Sequence, residues 1–351
     1  MTKETKIFYV SDKLESAPLN EAAKILSHGG TVAFPTETVY GLGADALDEK
    51  AVIKIFEAKG RPADNPLIVH VSSREECKSL VSKIPEKASL LMDRFWPGPL
   101  TIIMERTDIV PDVTTGGLDT VAIRVPENKI AIELIKRSGR PLAAPSANLS
   151  GKPSPTSAEH VIADLSGRID AVVDGGDVII GLESTVIDVT SEVPAILRPG
   201  KISREELEDC IGEVKIAYDD KVHPESETVR SPGMKYTHYS PKAGVILVEG
   251  DSNAVVGRIK ELLEDLSMRD AKIGLMLTED SEKHFSGVES FSIGCKNKPE
   301  QAAKSLFYGL RFLDLKNVDI IIVDGSFDSR GIGAAVFNRV RKAADMIIKV
   351  Q

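Results

Sequence analysis

The residues most suggestive of chemistry lie between Glu57 and His70, in the stretch E-A-K-G-R-P-A-D-N-P-L-I-V-H. Lys59 and Arg61 flank a glycine, and two prolines keep the following backbone extended, because proline fixes its own φ and biases the preceding residue away from helix. Two cations on a stiff turn before a buried strand could hold a polyanion such as a nucleoside triphosphate. The alternative is an ordinary helix C-terminus, where Lys and Arg interact favourably with the helix dipole.

Cations and small polar groups recur at the ends of other predicted strands. They are Arg124, Ser146, Asn148, Ser184 and Arg198. Because ligands gather at strand ends in open α/β sheets, this set predicts phosphate chemistry carried by positioning and charge neutralisation rather than by a protein nucleophile. His70 also lies near a strand end, where it could act as a base or fill a structural role.

Other kinds of site have no signal in the sequence. There is no G-x-x-x-x-G-K-[ST] phosphate loop, no G-x-S-x-G elbow and no kinase motif set. Cys77, Cys210 and Cys295 are far apart and show no metal or redox spacing. The N-terminus lacks the apolar core of a signal peptide, and no apolar run approaches the roughly 20 residues that span a bilayer. We therefore predict a reduced, cytoplasmic protein with no membrane partner.

Composition narrows the class of ligand. The chain has 351 residues, enough for two domains, and its 42% hydrophobic and 28% charged residues are those of a soluble globular protein. Its formal net charge is -9, whereas proteins that mainly grip nucleic acid usually carry a basic surplus. A cationic site in this chain must be local, which favours a small anionic ligand over a long polyanion.

The elements that position these residues follow from periodicity and composition. Strands are predicted at 31–38, 66–71, 100–105, 120–126, 141–148, 170–174, 184–190 and 195–198. Helices are predicted at 17–29, 49–58, 73–82, 86–95, 128–138, 157–165 and 203–211. Gly41 and Gly43 suit a tight turn or the close approach of a ligand.

The last third of the chain alternates cleanly between strand and helix. Apolar strands are predicted at 244–250, 272–278 and 318–325, helices at 253–269, 299–314 and 333–347, and a weaker pair of elements near 280–294. Continuous apolar strands alternating with helices predict a parallel, doubly wound sheet.

An irregular segment separates the two regular parts. We predict a first domain at 1–212, a linker or lid at 213–241 and a second domain at 242–351. The stretch S-P-G-M-K-Y-T-H-Y-S-P at 231–241 is of a kind that forms either a linker or a functional lid. Its crowded groups, which could donate to phosphate or stack on a base, favour the lid.

Several of these motifs match a known family. F-P-T-E-T-V-Y-G-L-G, K-G-R-P-x-x-N-P-L, F-W-P-G-P-L-T, the R-V-P strand, A-P-S-A-N-x-S-G and S-T-V-I-D closely resemble the YrdC-like L-threonylcarbamoyladenylate synthases. S-P-G-M-K-Y-x-H-Y-x-P and G-I-G-x-A-V-x-N-R resemble the linker and second domain of the long form. The resemblance implies an α/β fold: an N-terminal YrdC-like twisted mixed sheet with a concave basic cleft, and a smaller C-terminal Rossmann-like parallel domain.

The resemblance also implies a reaction. L-Threonine, bicarbonate (or carbon dioxide) and ATP give L-threonylcarbamoyl-AMP and pyrophosphate, and the product passes to a tRNA threonylcarbamoyl transferase complex that modifies the adenosine beside the anticodon. Mg²⁺ is implied as a cofactor held mainly by the ATP phosphates, with no metal ligand from protein side chains. Contact with tRNA itself is compatible with this reaction but not required by it.

The residue roles implied by the resemblance fall into three groups. The catalytic signature is Lys59, Arg61, Ser146 and Asn148. ATP would be bound by Lys59, Arg61, Asn65, Thr120, Ser146, Ser154, Arg198, Ser231, Lys235 and His238. L-Threonine would be bound by Thr38, His70, Arg124, Ala144 and Ser184, so that His70 is a binding group rather than a general base. The segment 231–241 would close over the nucleotide.

Two alternatives remain at this stage. The first is a module that binds tRNA or double-stranded RNA without catalysis, which the acidic net charge and the lack of interleaved aromatic and basic residues disfavour. The second is a related carbamoyl-adenylate-forming domain that acts on carbamoyl phosphate. Those proteins carry zinc-finger cysteines and an acylphosphatase segment, neither of which is present in this sequence.

Overall fold

The computed structural model describes residues 3–11, 13–218, 239–268 and 270–351. Two sheets organise these residues. The first has eleven strands drawn from residues 6–216, and the second has five strands drawn from residues 244–349. Within the described residues, no helix is long and apolar enough to cross a membrane.

The first sheet is mixed and lies among eight helices in the described residues. Its strands are β1 (Lys6–Tyr9), β2 (Val32–Phe34), β3 (Gly41–Asp45), β4 (Ile68–His70), β5 (Leu100–Glu105), β6 (Thr120–Arg124), β7 (Leu142–Ala143), β8 (Ala171–Asp174), β9 (Thr185–Asp188), β10 (Ala195–Arg198) and β11 (Lys215–Ile216). The helices are α1 (Ser16–Ser27), α2 (Glu49–Lys59), α3 (Arg74–Leu80), α4 (Glu86–Phe95), α5 (Asp112–Thr115), α6 (Lys129–Ser138), α7 (Ala158–Leu165) and α8 (Arg204–Ile211).

The strand order brings distant parts of the sequence together. It is β1-β8-β2-β3-β7-β4-β6-β5-β9-β10-β11. The parallel strands β4 and β6 pair His70 with Arg124, so these two side chains are neighbours on one face of the sheet. β5 runs antiparallel to β6 and parallel to β9, and β10 returns antiparallel to β9. Ser184, just before β9, and Arg198, at the end of β10, therefore lie near the end of β6.

Helix α2 ends beside the two cations of the predicted site, Lys59 and Arg61. Asp48 caps its N-terminus by accepting a hydrogen bond from the Lys50 amide. Gly60 ends it with a φ of 61°, a left-handed conformation that glycine adopts at little cost. The helix packs an apolar face into the core, so Lys59 is buried at its last turn and Arg61 follows directly after the reversal.

The second sheet is parallel throughout, as the alternating pattern predicted. Its strands are β12 (Gly244–Glu249), β13 (Ile273–Leu277), β14 (Glu289–Ser292), β15 (Ile320–Gly325) and β16 (Met346–Lys349), in the order β14-β13-β15-β12-β16. Its helices are α9 (Ser252–Ser267), α10 (Glu279–Glu282), α11 (Pro299–Leu315) and α12 (Ile332–Ala343). The predicted α/β class, with a mixed first sheet and a parallel second sheet, is confirmed.

Two predicted strands and one predicted helix need correction. The strand at 31–38 ends at Phe34, because Pro35 lacks an amide hydrogen and Thr36 then closes a turn onto Val39. The strand at 141–148 is only Leu142–Ala143, since the chain then curls around Lys59. The helix at 333–347 ends at Ala343, and the remaining apolar residues form β16.

The glycines after this turn are strand residues rather than turn residues. Gly41 and Gly43 belong to β3, which pairs with β2 and is buried along its whole length. A Cβ on Gly43 would lie 2.6 Å from Cε1 of Phe34, so the close approach required here is that of a core ring.

Candidate active site

A pocket opens on the face of the first sheet that carries His70 and Arg124. Its wall includes Tyr239 and Glu183. It also includes eight residues predicted from the sequence: Thr38, Arg61, His70, Arg124, Ala144, Ser146, Ser184 and Arg198. The fold thus gathers side chains that are up to 160 residues apart in the sequence into one pocket.

Lys59 is held beside the cavity by the segment that follows β7. Its Nζ donates to the carbonyl oxygens of Ser146, at 2.5 Å, and of Asn148, at 2.7 Å. The Ser146 hydroxyl donates to Oδ1 of Asn148 at 2.6 Å, which ties the three residues into one cluster. Burial, followed by the charge of Arg61, lowers the pKa of Lys59 well below its usual value. An anion bound nearby would favour the charged ammonium and raise this pKa again.

Three hydrogen bonds within the protein hold the guanidinium of Arg124 in place. Its Nη2 donates to Oε1 of Glu37 at 2.6 Å, its Nη1 donates to Oγ1 of Thr38 at 3.0 Å, and its Nε donates to the Gly98 carbonyl at 3.2 Å. Both members of the ion pair with Glu37 are at most 4% exposed. A guanidinium has five N–H groups, so two remain to meet a planar anion in the cavity.

A second buried arginine lies at the end of β10. Nε of Arg198 donates to the Ser184 carbonyl at 3.0 Å, and its Nη2 donates to the Ser184 hydroxyl at 3.0 Å. That hydroxyl also contacts Oγ1 of Thr101 at 2.7 Å. Burial lowers the pKa of Arg198 to about 10, which leaves it charged at neutral pH. Ser184 is thereby fixed between a cation and a neighbouring strand.

His70 is neutral in this setting. It is buried, and burial together with the charge of Arg124 lowers its pKa to about 3. Its Nδ1 has no hydrogen-bond partner in the described part of the chain. An imidazole with so low a pKa is a poor general base at neutral pH, but it can exchange a hydrogen bond with a ligand.

Three residues of this neighbourhood were not predicted as site residues: Glu37, Glu183 and Arg339. Glu183 lines the cavity, accepts a hydrogen bond from Ser154 and pairs with Arg339, whose Nε lies 3.0 Å from Oε2. Burial raises the pKa of Glu183, but Arg339 and Arg198 more than offset this and hold it below its usual value. The motifs F-P-T-E-T and E-S-T contain both glutamates, and their partners are visible only in three dimensions.

Comparisons with known proteins identify the family of this chain. The Sua5/YciO/YrdC family model, described as telomere recombination, matches residues 24–200, and the model for the threonylcarbamoyl-AMP synthase C-terminal domain matches residues 202–345. A threonylcarbamoyl-AMP synthase of Pyrococcus abyssi is 49% identical over 350 residues, which are 99% of this chain and 100% of the relative. The chain belongs to the threonylcarbamoyl-AMP synthase family.

A solved structure and a shorter relative show how this chain compares with other members of the family. The crystal structure of P. abyssi Sua5 complexed with L-threonine matches this fold with a TM-score of 0.94 and 48% identity, over 99% of this chain and 100% of that one. A putative threonylcarbamoyl-AMP synthase of Mycobacterium tuberculosis is 35% identical over 209 residues, which are 59% of this chain but 96% of the relative. Some members of the threonylcarbamoyl-AMP synthase family are therefore much shorter than this chain.

The remaining predicted residues differ in where they lie. Asn65 is fully buried, its carbonyl accepts from Nη2 of Arg61 at 3.4 Å, and both polar atoms of its side chain lack a partner within the described ranges. Thr120 begins β6, opposite Glu105 and at the far end of the strand from Arg124, outside the cavity wall. Ser231, Lys235 and His238, with most of the predicted lid at 231–241, lie outside the described residues.

The carboxylates near the cavity are not arranged as metal ligands. Among the residues that the structure describes, no group of three or more His, Cys, Asp or Glu side chains could hold a metal ion. Glu37 and Glu183 are each engaged by an arginine.

Proposed function

We propose that this chain joins L-threonine, bicarbonate (or carbon dioxide) and ATP into L-threonylcarbamoyl-AMP with release of pyrophosphate. The observation that carries the proposal is the cavity in which Arg61, Arg124 and Arg198 converge with small hydroxyl groups. Threonine carbamate and ATP are both anions and repel each other, so a site that joins them needs local cations. Membership of the threonylcarbamoyl-AMP synthase family supports the same activity.

ATP is bound by the turn that carries Lys59 and Arg61 and by the residues around it. Lys59, Arg61 and Arg198 neutralise the triphosphate, while Ser146 and Asn148 orient Lys59. Asn65, whose buried side-chain amide has no partner among the described residues, and Ser154 complete the nucleotide side. The proposal keeps Thr120, Ser231, Lys235 and His238 as ATP-binding residues on the family resemblance alone. Charge spread over phosphate oxygens in the transition state is stabilised by donors that are already in place.

L-Threonine is bound mainly by Arg124. Arg124 pairs with the threonine carboxylate, a planar fork meeting a planar anion. Thr38, His70 and Ser184 bind the hydroxyl and the amine, with the backbone at Ala144 helping. Because these buried polar groups are stranded when the ligand lacks a hydroxyl, the site rejects valine. The carbamate of the bound threonine then attacks the α-phosphate in line, pyrophosphate leaves, and water is excluded from the labile carbamate.

In this proposal, Mg²⁺ binds together with ATP. Its ligands are phosphate oxygens and water, since hard oxygen ligands and few protein contacts are typical of Mg²⁺ on nucleotides. When bound, it neutralises phosphate charge that the protein cations leave uncovered.

The product sets the cellular context. L-Threonylcarbamoyl-AMP is an activated acyl adenylate, so a transferase must take the threonylcarbamoyl group before water does. We place the protein in the cytoplasm, where a tRNA threonylcarbamoyl transferase complex uses the product on the adenosine beside the anticodon. The RNA-binding alternative is not favoured, because the family is one of synthases.

Product identification tests this function. The purified chain is incubated with ATP, L-threonine, Mg²⁺ and ¹³C-bicarbonate, and the nucleotide products are separated and weighed by mass spectrometry. The proposal expects L-threonylcarbamoyl-AMP that carries one labelled carbon, together with an equal amount of pyrophosphate. AMP and pyrophosphate without a labelled conjugate, or no ATP consumption with full tRNA binding, would contradict it.

A further inference from the structure

Two arginines of the second domain reach residues that build the cavity of the first. Arg311 lies on α11 and Arg339 lies on α12, and their side chains are 10% and 0% exposed. Neither lines the cavity. Both nevertheless make short polar contacts across the boundary between the two sheets. Buried arginines need partners, so their position is costly unless those partners are kept in place.

Arg311 holds the loop that carries Asn148. Its Nη2 donates to the Pro153 carbonyl at 2.5 Å and to Oδ2 of Asp164 at 2.7 Å. Oδ1 of Asp164 accepts from Nζ of Lys152 at 2.9 Å, so two successive residues of the loop are fixed together. The Lys152 carbonyl in turn accepts from the Asn148 side chain at 2.9 Å.

The chain of contacts then continues to the catalytic signature. The Asn148 carbonyl accepts from Nζ of Lys59 at 2.7 Å. A third support comes from the end of the segment 213–241, where the Ser240 amide donates to the Gly151 carbonyl at 2.8 Å. The loop from Asn148 to Ser154 is thus anchored by backbone and side-chain contacts from outside its own domain.

Arg339 supports the other end of the same loop. Its Nε donates to Oε2 of Glu183 at 3.0 Å, and Oε1 of Glu183 accepts from the Ser154 hydroxyl at 2.5 Å. Its guanidinium also donates to the Asn338 side chain and lies 5.8 Å from the ring centre of Tyr239, which lines the cavity. Because Glu183 faces a pocket for polyanions, the neighbouring guanidinium also offsets a carboxylate charge that would repel ATP.

From these contacts we propose that Arg311 and Arg339 are positioning residues for the nucleotide half of the site. Together they hold the loop 148–154 and Glu183, so the second domain forms the outer support of a site whose lining comes mainly from the first. The kinetic test of this proposal rests on the proposed function, whereas the measurement of ATP binding does not. It gives the second domain a role beyond covering the nucleotide.

The test compares Arg311→Gln and Arg339→Gln with a matched control, Arg341→Gln. Arg341 lies on the same helix as Arg339 and forms an ion pair with Glu249 of the same domain, at 2.6 Å, with its own side chain 27% exposed. Pyrophosphate release gives kcat and the KM for ATP, and calorimetry gives the Kd for ATP without turnover. We expect KM and Kd for ATP to rise on the order of tenfold in both test variants, as for other supporting residues. The control stays within about twofold.

A rescue separates positioning from stability. In Arg339→Gln the carboxylate of Glu183 is left without its cation, so adding Glu183→Gln removes the repulsion, and we expect part of the lost ATP affinity to return. Arg311→Lys, which keeps the charge, should fall between wild type and Arg311→Gln. Melting temperatures are recorded for every variant. If the Gln variants do not fold, the doubly substituted chain and Arg311→Lys carry the comparison.

Each result decides a different claim. Equal ATP Kd and KM in the test variants and in Arg341→Gln would overturn the positioning role, as would a lowered melting temperature with unchanged ATP affinity. If the wild-type chain bound ATP but released no pyrophosphate with threonine, the proposed function would fall, and the comparison of ATP Kd values would still judge the arginines.

Discussion

At the scale of single residues, the site is organised by buried charges that neighbouring residues hold before any substrate arrives. Arg124 is the clearest case, because Glu37, Thr38 and the Gly98 carbonyl fix three of its donors. A preformed fork loses little entropy when an anion binds. Replacing it by lysine keeps the charge but removes the planar arrangement of donors.

We therefore expect Arg124→Lys to raise the KM for threonine by about 10- to 100-fold, the equivalent of losing a hydrogen bond to a charged group. The KM for ATP should change much less. Arg137→Lys is a suitable control, since Arg137 pairs with Glu133 on the partly exposed surface of α6 and such pairs contribute little. Steady-state kinetics with each substrate varied in turn makes the comparison. An unchanged threonine KM in Arg124→Lys would remove Arg124 from the amino-acid side.

The buried His70 leads to a prediction about how the free energy of unfolding depends on pH. Its pKa is about 3 in the folded protein and near 6.5 when the chain is unfolded, so below pH 6.5 the unfolded state binds the extra proton. The free energy of unfolding then falls as pH falls from 6.5 towards 3. We expect His70→Gln to reduce the loss between pH 7 and pH 5 by about 2 kcal/mol. Urea unfolding at the two pH values measures it, and an equal loss in both proteins would contradict the buried neutral histidine.

At the scale of elements, close packing between strands places Ser184 and Arg198. Gly200 follows β10, and a Cβ there would lie 2.3 Å from the amide nitrogen of Thr185 and 2.7 Å from the carbonyl carbon of Ser184. Both of those contacts are backbone atoms, which cannot rotate away. The segment after β10 must therefore separate from the start of β9 if this position gains a side chain.

We expect Gly200→Ala to lower the melting temperature by several degrees, equivalent to about 1–3 kcal/mol, and to reduce threonine-dependent turnover. Gly257→Ala is the matched control, because Gly257 lies in α9 with open space around its Cβ position and alanine favours helix by about 1 kcal/mol. Thermal unfolding and activity are measured on both. A Gly200→Ala protein as stable and active as wild type would show that this contact does not position the site.

The same elements show what the sequence can and cannot predict. Helix α2 was predicted almost to the residue, because its cap, apolar face and terminal glycine are all local signals. Gly41 and Gly43 were predicted to suit a tight turn or the close approach of a ligand, and both lie in strand β3. Only the three-dimensional position of the Phe34 ring explains why a side chain is excluded at Gly43. The short strands β1 and β11 were missed because two to four residues carry too little periodicity.

The site follows the same rule. Residues in contiguous motifs, such as Lys59 and Arg61, were singled out from the sequence, whereas Glu37, Glu183 and Arg339 were not. Their roles depend on pairings with partners 87 and 156 residues away. Such long-range pairs have no local sequence signal when only one sequence is read.

At the scale of the whole molecule, the second domain is predicted to matter for synthesis. A chain cut after Ile211 loses Arg311, Arg339 and the segment 213–241. Shorter members of the family exist, and the first sheet has its own apolar core, so we expect the fragment to fold. Its Asp164 and Glu183 then lack cations that the full chain supplies, and we expect synthesis to fall at least about tenfold.

Circular dichroism and cooperative unfolding establish whether the fragment is folded, and pyrophosphate release measures its synthesis. Full activity in a folded fragment would contradict any contribution of residues 212–351 to the reaction. Loss of activity that returns when the second domain is supplied as a separate chain would support a contribution through contacts.

The most direct test of the central claim is pyrophosphate release from ATP and bicarbonate with L-threonine, L-serine or L-valine. The account predicts rapid release with threonine, little with valine, and loss of the threonine-dependent rate in Arg61→Ala by on the order of 10²-fold or more. Release that does not depend on the amino acid, or that survives Arg61→Ala unchanged, would contradict the claim that this cavity synthesises threonylcarbamoyl-AMP.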